Sequence, residues 1–397
     1  MNSAARLIAV MAIVVVAACA PPKQPVSDPS PAPTAPSFQA VNFSDIPGWS
    51  IDRTAQAIQA LRGSCDRLLK APGTRQMTDK SIGGRVGDWA PACRALPGEI
   101  TDDARARHYF ETWFRPYRVL SGTTADGLFT GYFEPGLRGS KTPSEIFSVP
   151  IYERPSDLVL VTLGEWRENF RGERIAGRIV NGRLKPYFSR AQIEAGALKD
   201  RAQPLAWVDD AVGAFFLHIQ GSGRISLPDG DVMRVGYDGH NGHVYRAIGR
   251  DLIEEGAITK KDISLQSIRA WLAANPDRKS EMMNRNPSFI FFREIAGEGP
   301  IGAQGVALTP GRSLAVDPKF LPLGAPIWLE ADYRDESGRP LRRLMVAQDT
   351  GGAIRGAVRG DVFWGHGEIA RALAGPMKAP GRIYLLLPKT LEVADLR

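Results

Sequence analysis

The chain predicts a mainly β body with helices: a compact barrel that carries a smaller, all-β insertion. Three observations predict it. Forty-one glycines and thirty prolines among 397 residues supply the turns that a body of short strands needs. Short apolar runs separated by Pro and Gly recur from Phe289 to Leu387, as in a closed sheet. The block 140–235 alternates strand-like runs with hairpin signals at Asn181-Gly182 and Pro228-Asp229-Gly230. The length allows two domains and a sizeable core. At 43% hydrophobic and 23% charged, the composition is that of a globular protein and excludes a disordered or fibrous one.

The N-terminus reads as an address rather than a fold element. Arg6 precedes the apolar run Leu7 to Ala18, which is short for a bilayer span and ends in small residues, as an export signal does. Val16-Ala17-Ala18-Cys19 resembles a bacterial lipobox, which implies a signal peptide at 1–18 and acylation of Cys19. Ala20 resembles the outer-membrane sorting choice, so the expectation is an outer-membrane lipoprotein facing the periplasm. Multiple acyl chains would make such an anchor stable. Residues 19–44 form a proline-rich, extended tether.

The body is expected to open with helices. Ala57, Leu61, Cys65 and Leu68 recur at helical spacing, as do Phe110, Trp113, Phe114 and Tyr117 after the start signal Thr101-Asp102-Asp103. In an exported protein Cys65 and Cys93 are expected to bridge. Such a bridge closes about 28 residues and contributes roughly 3 kcal/mol in the chain-entropy model. Leu128 to Phe133 reads as a strand ending at Glu134-Pro135, and Ala214 to Ile219 as a buried strand, with Asp209-Asp210 before it as a cap. Helical patterns return at Tyr245 to Glu255 and at Ile263 to Ala273, stopping at Asn275-Pro276. Strands are expected at Phe289–Phe292, Gly305–Leu308, Ile327–Leu329, Leu344–Ala347, Val362–Trp364 and Arg382–Leu387. The resulting division is a barrel domain from 45–139 and 236–397 around an insertion at 140–235.

The charge of +7 suits a polyanionic partner, whether nucleic acid, a membrane face or a carboxylate-bearing polymer. Arg and Lys are scattered and no nucleic-acid module is present, so nucleic acid is not the expected partner. Five scattered histidines and two remaining cysteines argue against zinc. His240-Asn241-Gly242-His243 lacks the helix and the adjacent acid of a metalloprotease motif. Gln220-Gly221-Ser222-Gly223 is no dinucleotide fingerprint, because Arg224 to Leu227 continues as a strand. Neither metal nor cofactor is expected.

The apolar run Leu344 to Ala347 delivers Asp349 onto the Gly351-Gly352 turn, where backbone can approach a large substrate. Asp349 either caps its own turn or serves as a general acid kept protonated by apolar neighbours such as Val346 and Phe363. Asp361 is either a second carboxylate of a glycosidase pair or a loop-fixing acceptor. Asp317, before Pro318, reads as a structural or electrostatic group. Tyr132 offers a ring face and a hydroxyl to a sugar, and Glu134 a carboxylate. Gln220, Gly221 and Ser222 suit a loop that approaches a polysaccharide.

Together, Gly131–Pro135 (GYFEP), Phe215–Arg224 (FFLHIQGSGR), Gly239–Gly249 (GHNGHVYRAIG), Asn286–Phe292 (NPSFIFF) and Arg343–Gly356 resemble the membrane-bound lytic murein transglycosylase A family. The C-terminal part also resembles the domain named for three aspartates, here Asp317, Asp349 and Asp361. The resemblance implies a double-psi β-barrel domain with a smaller inserted β domain and a glycan groove between them. It implies cleavage of the β-1,4 bond between N-acetylmuramic acid and N-acetylglucosamine without water, leaving 1,6-anhydromuramoyl ends, with Asp349 as the single catalytic aspartate. Tyr132, Glu134, Gln220, Gly221, Ser222, Gly351 and Asp361 are the expected substrate-binding residues. Peptidoglycan strands are the expected partner, alongside proteins of cell-wall synthesis or division. Two rival readings stay open: a hydrolase pairing Asp349 with Asp361, and a non-catalytic glycan-binding lipoprotein.

Overall fold

The computed structural model describes residues 36–78, 82–170, 173–297, 299–335 and 337–391. The expected signal peptide, Cys19 and the tether up to residue 35 lie outside them. Strand β1 (Pro36–Ala40) is followed by helices α1 (Ala55–Leu69), α2 (Val86–Arg94) and α3 (Asp103–Trp113). Next come β2 (Phe114–Ser121), β3 (Gly127–Glu134), β4 (Gly136–Ser140), β5 (Val149–Tyr152), β6 (Val159–Thr162), β7 (Arg174–Val180) and β8 (Arg183–Pro186). The short α4 (Arg190–Gln192), β9 (Pro204–Val208), α5 (Ala211–Gln220), β10 (Ser222–Ser226) and β11 (Val232–His240) follow. Helices α6 (Ile248–Glu254), α7 (Leu265–Ala274) and α8 (Pro276–Asn284) lead to β12 (Ile290–Glu294). The chain finishes with β13 (Ser313–Val316), β14 (Pro326–Arg334), β15 (Pro340–Asp349), β16 (Arg359–His366), α9 (Gly367–Ala374) and β17 (Lys378–Pro388).

Six strands close a ring in the order β17-β14-β15-β13-β16-β3, with β3 pairing back onto β17. The β13–β15 and β16–β3 pairings are parallel and the others antiparallel, giving the mixed six-stranded barrel expected of a double-psi fold. Closure removes the free edges that an open sheet would expose. The length of β17 lets its C-terminal half also hold β2, which in turn holds β1. Trp328, Phe129, Leu344 and Val346 fill the core, and α1 to α3 pack against it. Cys65 and Cys93 are bridged, joining α1 to α2.

The second sheet has the order β12-β11-β10-β4-β9-β5, and β6, β7 and β8 form a separate three-stranded sheet. The strand block is therefore wider than the expected 140–235. Strand β11 crosses residue 235 and pairs with β12, so the sheet runs from Gly136 to Glu294. Helices α6 to α8 pack on α5 through Ile248, Leu252, Leu272 and Met282 against Phe215 and Phe216.

Other expectations are corrected. Ala214 to Ile219 is helical, within α5, not a strand. Asp210 caps it by accepting from the Val212 amide at 2.9 Å, and Gly221 ends it at φ 78°. The strand-like run is a helix buried on two sides: Ala214 and Leu217 enter the sheet core, Phe215 and Phe216 the helical one. Phe114 and Tyr117 belong to β2, because Pro116 disfavours helix at the residue before it and the aromatic run continues as a strand. Gly305–Leu308 is no strand. Gly305 turns at φ 82°, and Ala307 makes a lone bridge to Ile301. Helix α9 is not among the expected elements, although GEIARALA is an amphipathic run of helix formers.

Candidate active site

The site is built where β15 ends. Its parallel register with β13 runs Leu314 to Ala347 and then Ala315 to Asp349, so Gln348 is an extra residue that re-aims the strand end. Ala315 also faces Asp361 across the antiparallel β13–β16 pair. The two aspartates thus flank one residue, with backbones two strand spacings, about 10 Å, apart. Tyr132 joins from β3, which lies parallel to β16.

Three neutral donors hold the Asp349 carboxylate. The Tyr132 hydroxyl donates to Oδ2 at 2.7 Å. The Ala303 and Thr350 amides donate to Oδ1, each at 2.9 Å. Among the described residues no cation pairs with it. The site floor is apolar: Tyr132, Leu308, Ala315 and Phe363 form one buried cluster, with the Tyr132 and Phe363 rings 5.3 Å apart. Val346, expected to contribute, lies in the main barrel core instead. Burial pushes the Asp349 carboxyl above its ordinary value, and the three hydrogen bonds pull part of the way back. Tyr132 is pushed well above the ordinary phenol range by burial and by the charges of Asp349 and Asp361, so it stays a donor at every physiological pH.

Asp361 accepts from the Thr130 hydroxyl at 2.7 Å. Burial raises it to about 6, against the pull of Thr130 and Arg359 and with a smaller push from Asp349. Asp317 is buried and structural in its contacts. It accepts from the Lys319 amide at 3.1 Å and from the Gly356 amide at 2.8 Å, pinning the end of the loop that carries Gly351.

The remaining expected residues divide. The Glu134 side chain is engaged by arginines rather than left free. Its fully enclosed carboxylate receives the Arg224 guanidinium at 2.9 Å and faces Arg234 at 3.5 Å. The reason is the β3 to β4 junction, which turns it into the second sheet beside β10. Gln220 accepts from the Phe133 amide at 3.3 Å, and Gly221 and Ser222 form the bend between α5 and β10. A cavity of about 430 Å³ opens there, lined by Glu134, Gln220, Arg224, Arg269, His366 and Arg371; Asp349 is not part of its wall. Gly352 lies against Tyr245, with 3.7 Å available to a Cβ, so the Asp349 loop meets the His240–Tyr245 segment. Among the described residues no three His, Cys, Asp or Glu converge as metal ligands. Sequence reasoning missed Ala303, a backbone donor that no side-chain pattern could reveal, and Thr130, one of many strand threonines.

A family profile described as the MltA specific insert domain matches residues 128–293, and one described as the 3D domain matches 312–387. Membrane-bound lytic murein transglycosylase A of Escherichia coli K12 is 34% identical over 359 residues, covering 88% of this chain and 86% of its own. A crystal structure of a membrane-bound lytic murein transglycosylase from Agrobacterium tumefaciens superimposes with a TM-score of 0.81 at 35% identity, covering 89% and 98% of the two chains. A structure of Escherichia coli MltA with bound chitohexaose superimposes with a TM-score of 0.61 at 28% identity, covering 90% and 93%.

Proposed function

The chain belongs to the membrane-bound lytic murein transglycosylase A family, and from that premise we propose that it cleaves the N-acetylmuramoyl-β-1,4-N-acetylglucosamine bond of peptidoglycan with Asp349 as the one proton-transferring group. The observation that carries this assignment is the Asp349 carboxyl, raised by burial and bound by neutral donors alone. An unperturbed aspartate is protonated in roughly one molecule in a thousand at pH 7. Burial without a cation raises the share of the acid form above that value.

The steps follow from that group. Protonated Asp349 gives its proton to the glycosidic oxygen as the C1–O bond to the leaving N-acetylglucosamine breaks. The resulting carboxylate takes the proton of the muramoyl C6 hydroxyl, whose oxygen bonds to C1. The anhydro ring closes, Asp349 is again an acid, and no water is consumed. The attacking hydroxyl belongs to the same sugar, so its effective molarity replaces a second carboxylate that would activate water. Tyr132 holds the carboxylate in place without competing for its proton. Asp361 supports the developing positive charge from the neighbouring strand. Gly351, Gln220, Gly221 and Ser222 border the glycan, and bound chitohexaose on the Escherichia coli relative fits that reading.

Domain boundaries at 136 and 294 follow the second sheet and keep the groove between it and the barrel. Anchoring through Cys19 at the outer membrane, facing the periplasm, is part of the same proposal and is supported by the lipobox and by the membrane-bound relatives. Cys19→Ser should move the protein to the soluble periplasmic fraction; continued membrane association would remove the anchor. For the chemistry, purified sacculi are digested with Asp349→Asn. The variant should fold normally and release no anhydromuropeptides, and full activity would overturn the assignment.

A further inference from the structure

A closed circuit of hydrogen bonds lies behind the reacting carboxylate. Gln348 is fully buried, and its Nε2 donates to Ser64 Oγ at 2.9 Å. Ser64 Oγ donates to Gln304 Oε1 at 2.7 Å. The Gln304 backbone N–H donates to the Gln348 backbone carbonyl at 3.0 Å, which completes the ring. Two bonds brace it from outside: Gln348 Nε2 also donates to the Ala60 carbonyl at 2.7 Å, and Ser313 Oγ donates to Gln348 Oε1 at 2.5 Å. The side-chain polar atoms of Gln348 and Ser64 all have partners, while the buried Gln304 Nε2 has none among the described residues.

The circuit spans three parts of the chain. Ser64 is on α1, Gln304 in the loop before β13, and Gln348 in β15 beside Asp349. Gln304 adjoins Ala303, whose amide is bonded to Asp349 Oδ1. Gly302 completes the close approach: a Cβ there would sit 2.5 Å from the Gln348 carbonyl oxygen. Such a buried polar ring is costly to assemble for stability alone, where apolar side chains would pack as well.

We infer that Ser64, Gln304 and Gln348 are positioning residues that fix the 302–305 loop against β15, so that the Ala303 amide is aimed at Asp349. They touch no substrate. They act by holding one of the three donors that set how tightly Asp349 keeps its proton. The titratable groups that face Asp349 from the packed strands are Tyr132 and Asp361, and neither belongs to the circuit. The inference rests on Asp349 as the reacting carboxylate.

The test is the pH profile of kcat/KM and of kcat for Ser64→Ala, with Ser64→Thr as the hydroxyl-retaining control and thermal unfolding measured in parallel. Weakening the Ala303 bond removes a contact that favours the carboxylate, so the alkaline limb should move upward by about half a pH step. At the optimum kcat should fall about five- to tenfold with KM nearly unchanged, because remote positioning acts on the transition state. Ser64→Thr should restore the profile. Gln304→Met breaks the same ring from the loop side and serves if Ser64→Ala does not fold. A lowered unfolding temperature with an unmoved profile and unchanged kcat would overturn the inference, as would a Ser64→Thr variant that behaves like Ser64→Ala. An active Asp349→Asn instead sinks the underlying assignment of the acid, and an inactive one beside an unmoved Ser64→Ala profile sinks only the circuit.

Discussion

The barrel mouth and the inserted sheet both bury ionisable groups, and they treat them in opposite ways. At the mouth, Asp349 meets a hydroxyl and two amides and no cation. In the insertion, Glu134 lies between Arg224 and Arg234. Arg190, equally buried, donates hydrogen bonds to the Asn286 and Ser288 carbonyls and approaches Glu194 at 3.7 Å. Compensation, more than burial, separates the two: paired charges hold a sheet together, and an unpaired carboxyl is left with a proton to exchange.

Five substitutions can break or sharpen that contrast. Asp349→Asn removes the exchangeable proton and should lower kcat by about a thousandfold or more, with unfolding unchanged, as anhydromuropeptide release would show. Glu134→Gln should do the reverse, because it leaves two guanidiniums facing a neutral group. It should cost roughly 3 kcal/mol in denaturant unfolding while kcat per folded molecule stays near wild type. A strong kcat defect there would mean that the charge pair serves the chemistry after all. Tyr132→Phe deletes a donor that lowers the Asp349 value. Its alkaline limb should rise and kcat should drop about tenfold.

The smallest effect concerns stability against pH. Burial and the neighbouring Arg190 hold His218 well below its ordinary value. The unfolded chain therefore binds the proton first, and stability should fall as pH drops below about 6.5. Asp361 is raised to about 6, so its contribution is present below about 4 and is lost as pH rises through 6. Urea unfolding of His218→Asn and Asp361→Asn across pH 4 to 7 should flatten the two slopes in opposite senses. Slopes of one sign would refute the assignment of charge states. Asp361→Asn also tests the paired-carboxylate hydrolase, which requires it to be as inactive as Asp349→Asn.

Much of this contrast was legible in the sequence. The glycine-flanked acid at 349, the Tyr132 strand and the run of short strands up to Leu387 were visible because barrel strands alternate with turn residues. The α5 helix was not, since apolar residues on all sides hide its period. Glu134 looked open because its partners, Arg224 and Arg234, are about a hundred residues away and only the fold brings them close. Backbone donors such as Ala303, and the glutamines behind them, carry no chemical signature until β13 and β15 are placed side by side.

Digestion of sacculi in water labelled with heavy oxygen tests the central claim most directly. If Asp349 alone moves the proton and the muramoyl C6 hydroxyl attacks, mass spectrometry will show anhydro ends, one water lighter than reducing ends and free of the label. Reducing ends that carry the heavy oxygen would show that water attacks, and the single-carboxylate account would be wrong.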